Sequence, residues 1–242
     1  MIPLALALAL GLQDIEIRLT AAAPRFRGSM TFDEQDADGN RFTVKPGVEA
    51  VPAIEVALVD GSNRFYLEAR RLALSGRQTL DEPRRWNETL FPAGDTVDMR
   101  FDWDRIRLGV ETGGAVEEGA YFFLVGGLRY DILRFVLDSD SQGEDDDTIG
   151  VVSVDYGLKF LGTMAPTAKI EMELRGIQSN LLEDTLNGFS GALRVRWEPA
   201  RGLALMVGYE AESLWVEKVT HAENNRLSYD AGGPVAGLVL TF

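Results

Sequence analysis

Apolar and polar residues alternate along most of this chain, which is the pattern of β-strands whose two faces meet different surroundings. The clearest stretch alternates Val97, Met99, Phe101 and Trp103 with Asp98, Arg100, Asp102 and Asp104. The apolar residues change phase at Ile106, where we expect a β-bulge. Ten such segments can be traced, and they start near residues 15, 48, 65, 97, 120, 152, 168, 189, 203 and 234. The chain is therefore predicted to be all-β.

The last segment ends the sequence on an aromatic residue, with Ala236, Leu238, Leu240 and Phe242 on one face. It resembles the closing strand of bacterial outer-membrane β-barrels, in which a C-terminal Phe ends a strand with hydrophobic residues at alternate positions. The resemblance covers this strand alone. It implies that Leu238, Leu240 and Phe242 are a membrane-insertion signal, that the barrel-insertion machinery and outer-membrane lipid are partners, and that the protein lies in the bacterial outer membrane.

Connections between the segments alternate between short and long. Short, turn-like links lie near residues 60–63, 113–119, 166 and 198–202, whereas the links at 33–40, 76–95, 138–147, 178–187 and 217–226 are longer and polar. This layout is typical of an outer-membrane barrel with short periplasmic turns and longer outer loops. We predict one antiparallel up-and-down transmembrane β-barrel over residues 13–242, with about ten strands and eight as the alternative.

Two prolines interrupt the strand pattern, because proline cannot donate a backbone hydrogen bond to a neighbouring strand. A bulge or a later strand start is expected at Pro52. Pro234 is expected to kink or shorten the last strand. Aromatic residues near the segment ends are interpreted as interface girdles; they are Trp103, Tyr121, Phe123, Tyr130, Phe135, Tyr156, Trp197, Tyr209, Trp215, Tyr229 and Phe242.

The N-terminus carries an apolar run at residues 2–11, with small residues at Ala5, Ala7 and Ala9. Such a run resembles the hydrophobic region of a secretion signal and is too short to cross a bilayer as a helix. No basic residue precedes it. The apolar run and its small residues nevertheless predict that residues 1–12 are a signal peptide.

If the apolar faces meet lipid, the charged residues on the opposite faces point into the barrel. The predicted interior set is Glu49, Glu55, Glu68, Arg70, Asp98, Arg100, Asp102, Arg107, Asp155, Lys159, Lys169, Glu171, Glu173, Arg175, Arg194, Arg196 and Glu210. The nearly equal numbers of acids and bases suggest mutual pairing, because unpaired buried charges are costly. A barrel of eight to ten strands leaves little internal space, which favours a filled interior over a narrow polar path.

Composition excludes several classes of protein. A formal net charge of −14 leaves no basic stripe for nucleic acid, and the absence of cysteine excludes disulfides and thiolate sites. The only histidine, His221, lies in the last predicted outer loop. Its position loosely resembles that of the catalytic histidine of lipid A deacylases, but Glu223 stands where that family needs a serine. A histidine without a catalytic role is therefore favoured.

Residues 138–143 begin like a calcium-binding loop, but Ile149 occupies the position that requires a glutamate. Acidic outer loops could still bind divalent cations weakly, and no cofactor motif is present. The favoured function is a non-enzymatic structural or narrow porin-like barrel. The alternatives are a soluble secreted barrel that binds a small hydrophobic ligand and, third, a barrel enzyme acting on lipid A or peptides.

Overall fold

The computed structural model describes residues 14–33, 40–42, 50–86, 89–179, 185–219 and 224–242. The predicted signal peptide, Glu49 and His221 lie outside these residues. The strands are β1 (Asp14–Ala22), β2 (Arg25–Asp33), β3 (Asn40–Phe42), β4 (Val51–Asp60), β5 (Asn63–Thr79), β6 (Arg84–Trp86), β7 (Thr89–Phe91), β8 (Thr96–Glu117), β9 (Ala120–Ser139), β10 (Gly143–Ala165), β11 (Ala168–Gln178), β12 (Thr185–Ala200), β13 (Leu203–Val219) and β14 (Asn224–Thr241). Within the described part of the chain, no helix has the length and hydropathy of a membrane span.

A single antiparallel sheet closes on itself to form the barrel. Neighbouring strands follow chain order from β4 to β14, with the hairpin of β6 and β7 left outside the wall. β1 and β2 together form the first strand of the barrel, because β14 pairs with β1 over its second half and with β2 over its first half. The closed antiparallel barrel of ten strands confirms the predicted fold class.

The two prolines lie where the wall tolerates a missing donor. Pro52 is the second residue of β4, and β4 pairs with β5 only from Ala53 onward. Pro234 lies opposite the interruption between β1 and β2, where its carbonyl accepts the Ala23 N–H at 2.9 Å. The last strand continues through Pro234 to Asn224, so the expectation of a shortened strand was wrong.

Gly233 permits close approach at this interruption, because a Cβ there would lie 2.3 Å from the Ala23 carbonyl oxygen.

The barrel is longer than a membrane is thick. Tight turns at residues 61–62, 118–119, 166–167 and 201–202 lie at the same end of the barrel as Asp14 and Phe242, and we call this the turn end. The opposite end is the loop end. β8, β9 and β10 contain 22, 20 and 23 residues, whereas about 9–11 residues cross a bilayer as a tilted strand. A bilayer crossed by these three strands therefore leaves about half of each strand outside the hydrocarbon.

The strand β8 changes character halfway along its length without changing phase. Its pairing with β5 and β9 is continuous through Trp103 and Ile106, so the expected bulge is absent from this stretch. Phe101 faces the interior near the loop end and Arg107 faces it nearer the turn end, and both are buried. Leu108, on the outer face, is 60% exposed. The change in the sequence pattern at Ile106 therefore marks the point where the apolar residues of β8 move from its inner face to its outer face.

The interior at the loop end is a hydrophobic core, which we call the loop-end core. Its members are Ala22, Val51, Leu72, Leu74, Leu80, Trp86, Phe91, Val97, Met99, Phe101, Trp103, Leu133, Phe135, Leu137, Ile149, Val151, Ile177, Leu186, Leu214, Val216, Tyr229 and Val235. Outside the membrane the barrel wall meets water on its outer face, so apolar side chains turn inward as in a soluble protein.

The link between β5 and β8 contributes to this core. Leu80, Trp86 and Phe91 are at most 1% exposed, and the Trp86 ring lies 6.1 Å from that of Phe135. The link was predicted to be a polar outer loop, but it folds into the β6–β7 hairpin and packs against the core. The predicted loop at 138–147 is also different, because β9 and β10 continue to a turn at 140–142.

Candidate functional site: a closed, charged barrel interior

Most residues of the predicted interior set lie on inward-facing positions of the barrel wall in its turn-end half. These are Glu55, Glu68, Arg70, Arg107, Asp155, Lys159, Lys169, Glu171, Glu173, Arg175, Arg194, Arg196 and Glu210. They alternate with exposed apolar residues such as Ile54, Leu158 and Leu174 on the same strands. Whether any of them lines a conducting path stays a prediction.

Three predicted interior residues require correction, because Asp98, Arg100 and Asp102 lie on the outer face of β8. They form exposed ion pairs there, with Arg77–Asp98 at 2.5 Å, Arg100–Glu144 at 2.9 Å and Arg71–Asp102 at 3.9 Å. The reversal along β8 explains the error, since the charged face is the outer one near the loop end. A hydrogen bond from Arg77 lowers the pKa of the Asp98 carboxyl below its ordinary value.

Nine further buried or half-buried charges of the interior were missed: Glu16, Arg18, Arg64, Arg105, Glu111, Arg129, Asp131, Glu198 and Glu212. Two of them could have been predicted from the sequence, because Glu16 and Arg18 alternate with the apolar residues Ile15, Ile17 and Leu19. Arg105 was missed because the β-bulge expected at Ile106 leaves the direction of its side chain unassigned, and β8 has no bulge there.

An ion-pair layer fills the interior at the turn end. Arg64 donates to Glu16 at 3.0 Å and to Glu111 at 3.1 Å. Arg18 reaches across the barrel to Glu171 at 3.3 Å, and the Lys159 ammonium contacts Glu111 at 2.9 Å. Strands distant in sequence are thereby joined through the centre of the barrel.

The layer continues towards the middle of the barrel through bridging arginines. Arg194 donates to Glu171 and Glu210, both at 2.6 Å. Arg107 contacts Asp155 at 2.7 Å and Glu68 at 3.2 Å. Each of these arginines contacts two carboxylates, so the pairs form a connected network.

Asp131 and Glu212 complete the layer where it meets the loop-end core. Asp131 is fully buried and accepts hydrogen bonds from Trp103 Nε1 at 2.7 Å and Arg105 Nε at 3.2 Å. Arg129, also buried, pairs with Asp131 at 2.5 Å and with Glu212 at 3.1 Å. The indole of Trp103 thus connects the apolar core to the charged layer.

The ion-pair layer carries equal numbers of opposite charges. Its cations are Arg18, Arg64, Arg70, Arg105, Arg107, Arg129, Lys159, Lys169, Arg175, Arg194 and Arg196, and its acids are Glu16, Glu55, Glu68, Glu111, Asp131, Asp155, Glu171, Glu173, Glu198, Glu210 and Glu212. Pairing of this kind offsets the large desolvation cost of burying ions.

A cavity of about 100 Å³ lies between the layer and the core and is lined by residues that include Arg70, Trp103 and Glu210. It has room for a few water molecules.

The described residues contain no cluster of three or more histidine or acidic side chains arranged to hold a metal ion. At the loop end, Ser141 donates a hydrogen bond to Asp95 at 2.6 Å, and this bond lowers the pKa of the Asp95 carboxyl. Weak binding of divalent cations by the acidic loop end stays a prediction.

The outer wall of the turn-end half presents an apolar belt. Its exposed members include Leu19, Ile54, Val56, Phe65, Leu67, Ile106, Leu108, Leu124, Leu128, Val154, Leu158, Met172, Leu174, Leu193, Val195, Leu205, Val207 and Leu238. Tyr130, Tyr156, Trp197, Tyr209, Trp215 and Phe242 are also exposed on this surface, whereas Tyr121 has the inward-facing phase of Val125 and Arg129 and is exposed at the turn end of the barrel. Trp103, Phe135 and Tyr229 are buried inside the barrel, so their interpretation as girdle residues was wrong.

The predicted insertion signal lies on the strand that closes the barrel. Leu238 is exposed on the belt, and Phe242 exchanges backbone hydrogen bonds with Ile15 at 2.9 and 3.2 Å. The final residue thus joins the first strand to the last. Recognition of these residues by an insertion machinery stays a prediction.

No protein-family profile matches the chain, and no curated protein matches it at a significant level. Among solved structures, the outer-membrane protease OmpT from Escherichia coli superposes with a TM-score of 0.55 at 10% identity, over 95% of this chain and 97% of that chain. The translocator domain of the autotransporter NalP from Neisseria meningitidis gives 0.44 at 14% identity, over 98% and 92%. The transport unit of the Escherichia coli autotransporter AIDA-I gives 0.42 at 8%, over 100% and 97%.

At 10% identity, the similarity to OmpT is one of fold. The closed ten-strand wall, the outward apolar belt and this shared fold together define an outer-membrane β-barrel protein, which is the class that the sequence predicts.

Proposed function

We propose that this protein is a non-enzymatic, non-conducting outer-membrane barrel that holds a rigid extramembrane extension at the bacterial surface. The observation that carries the proposal is the loop-end core, in which Leu80, Trp86 and Phe91 pack inside the barrel mouth. An ion that enters a dry apolar layer loses its hydration without compensation, so the layer is a barrier to conduction. A structural role is therefore favoured over the porin-like alternative.

The extension itself supports a presenting role. β8, β9 and β10 rise beyond the membrane as paired strands. At the loop end, β9 and β10 are joined by the turn at 140–142, and β8 follows the β6–β7 hairpin. Their outer faces carry paired charges, including Arg77–Asp98 and Arg134–Asp146. Such a surface is water-compatible and is held in place by the core behind it.

Planar-bilayer recording tests the proposal. The purified protein is inserted into a planar membrane beside a known porin as positive control, and no unitary current steps are expected. Reproducible steps whose ion selectivity changes in Glu68→Gln would contradict the proposal and restore the porin-like function, because Glu68 is part of the ion-pair layer.

The other two alternatives lack such support. The outward apolar belt is opposite to what a soluble ligand-binding barrel requires. OmpT is a protease, but its similarity to this chain is one of fold, and fold alone does not carry an activity.

A further inference from the structure

A row of small residues crosses the outer wall of the turn-end half. Gly191 of β12, Ala211 of β13 and Gly232 of β14 are direct cross-strand neighbours on outward-facing positions. Neighbouring strands lie about 4.8 Å apart, so Gly191 and Ala211 leave a trough about one strand spacing wide. The Tyr209 ring lies over Gly232, where a Cβ would be 2.8 Å from the phenol oxygen. A trough of this kind is a break in the otherwise bulky apolar belt.

Large apolar side chains extend and flank this trough. Leu174 pairs with Gly191 and borders the trough on β11, Phe189 borders it on β12, and the Tyr209 ring closes it on the side of Gly232. The resulting outer groove has a volume of about 1260 Å³. That exceeds the roughly 300–1,000 Å³ of typical small-molecule sites, and it suits flexible hydrocarbon chains.

A cation lies at one end of the outer groove. Arg25 is exposed, pairs across the strands with Gly232 and lines the groove. Other exposed arginines on the wall are paired with acids, as Arg77 is with Asp98 and Arg134 with Asp146. Among the described residues, Arg25 has no such acid partner. Its nearest acidic neighbour in the groove lining, Asp230, accepts a hydrogen bond from Ser213.

The height of Arg25 in the wall indicates what it meets. It lies eleven residues after Asp14, which begins β1 at the turn end. About 9–11 residues cross the hydrocarbon as a tilted strand, so Arg25 lies at the level of the lipid headgroups on the loop-end side. The glycines and the apolar flanks of the groove lie within the belt.

We propose that the outer groove binds an anionic lipid of the loop-end leaflet, with its acyl chains over the small-residue trough and its phosphate against Arg25. The apolar lining recognises the chains, and the unpaired guanidinium recognises a phosphate that carries no compensating cation. The site is separate from the barrel interior, so it is independent of whether the interior conducts.

Native mass spectrometry of the delipidated barrel tests this assignment. The protein is incubated with equimolar dioleoyl phosphatidylglycerol and dioleoyl phosphatidylcholine, which differ in headgroup charge and share acyl chains. Wild type is expected to retain phosphatidylglycerol about fivefold better, the effect of one basic residue near an anionic lipid. In Arg25→Gln the preference should fall to about one, and in Ala211→Leu retention of both lipids should fall because the trough is filled.

Matched controls isolate the site. Arg134→Gln removes an exposed arginine outside the groove, and Ala236→Leu enlarges an exposed alanine of β14 outside it. Both should behave as wild type, with folding of every variant checked by heat-modifiable gel migration. Equal retention of the two lipids by wild type, loss of the preference in Arg134→Gln as large as in Arg25→Gln, or unchanged retention in Ala211→Leu would each overturn the proposal.

Discussion

Asp131 shows how a single carboxylate can be held inside this barrel. It is fully buried, and its oxygens meet Trp103, Arg105 and Arg129. An ion in such a site is stabilised only by its partners, because water does not reach it. The charge of Asp131 and the charges of its two arginines therefore depend on one another.

Asp131→Asn keeps the shape of the side chain and removes the charge that both arginines require. We expect a loss of about 3–5 kcal/mol in the free energy of unfolding, the usual effect of breaking a buried pair. Urea unfolding of the refolded barrel, followed by tryptophan fluorescence, measures the change.

Asp146→Asn is the matched control, because Asp146 forms an exposed pair with Arg134 at 3.2 Å. The expected loss there is about 0–1 kcal/mol. Equal effects of the two substitutions would mean that water screens the interior pair and that the layer is not closed.

At the scale of elements, the β6–β7 hairpin lies in a connection that the sequence predicted to be a polar loop. Neither its strands nor its buried rings were predicted. Its residues are mainly polar, and its two buried aromatics, Trp86 and Phe91, follow no strand-like period with their neighbours. Periodicity identifies elements that bury one continuous face. A short segment that inserts two rings into an existing core leaves no such pattern.

The hairpin offers a direct comparison within one strand, since Phe91 is buried and Leu90 is 51% exposed. Phe91→Ala should lower the free energy of unfolding by about 3–5 kcal/mol through the cavity it leaves. Leu90→Ala should change it by about 0.5 kcal/mol or less. Similar small effects in both variants, measured by urea unfolding, would show that the hairpin does not close the core.

The strand β8 illustrates which inferences from the sequence succeed. Its alternation identified a strand and its paired faces, and the number of such strands gave the barrel. The direction of each face did not follow, because Val97 and Leu108 are both apolar and lie on opposite faces. The medium outside the wall decides which face is apolar, and that medium changes along the strand.

At the scale of the whole molecule, the turn-end half and the loop-end half of the barrel have opposite polarity. In the turn-end half, hydrocarbon outside and ion pairs inside follow the rule for membrane barrels. In the loop-end half, water outside and a packed core inside follow the rule for soluble proteins. The interior charges that the sequence identified on β10 to β12 lie in the turn-end half, whereas Asp98, Arg100 and Asp102 lie in the loop-end half.

Spin-label accessibility along β8 and β9 tests most directly whether the outer face of the wall is apolar in the turn-end half and polar in the loop-end half. The chain has no cysteine, so single labels can be attached at Arg100→Cys and Leu108→Cys on β8 and at Arg134→Cys and Leu128→Cys on β9. In the bilayer, labels at 108 and 128 should collide with oxygen dissolved in the hydrocarbon, whereas labels at 100 and 134 should collide with a water-soluble nickel reagent. Lipid-like accessibility at 100 and 134, or water-like accessibility at 108 and 128, would contradict the reversal on which the closed interior depends.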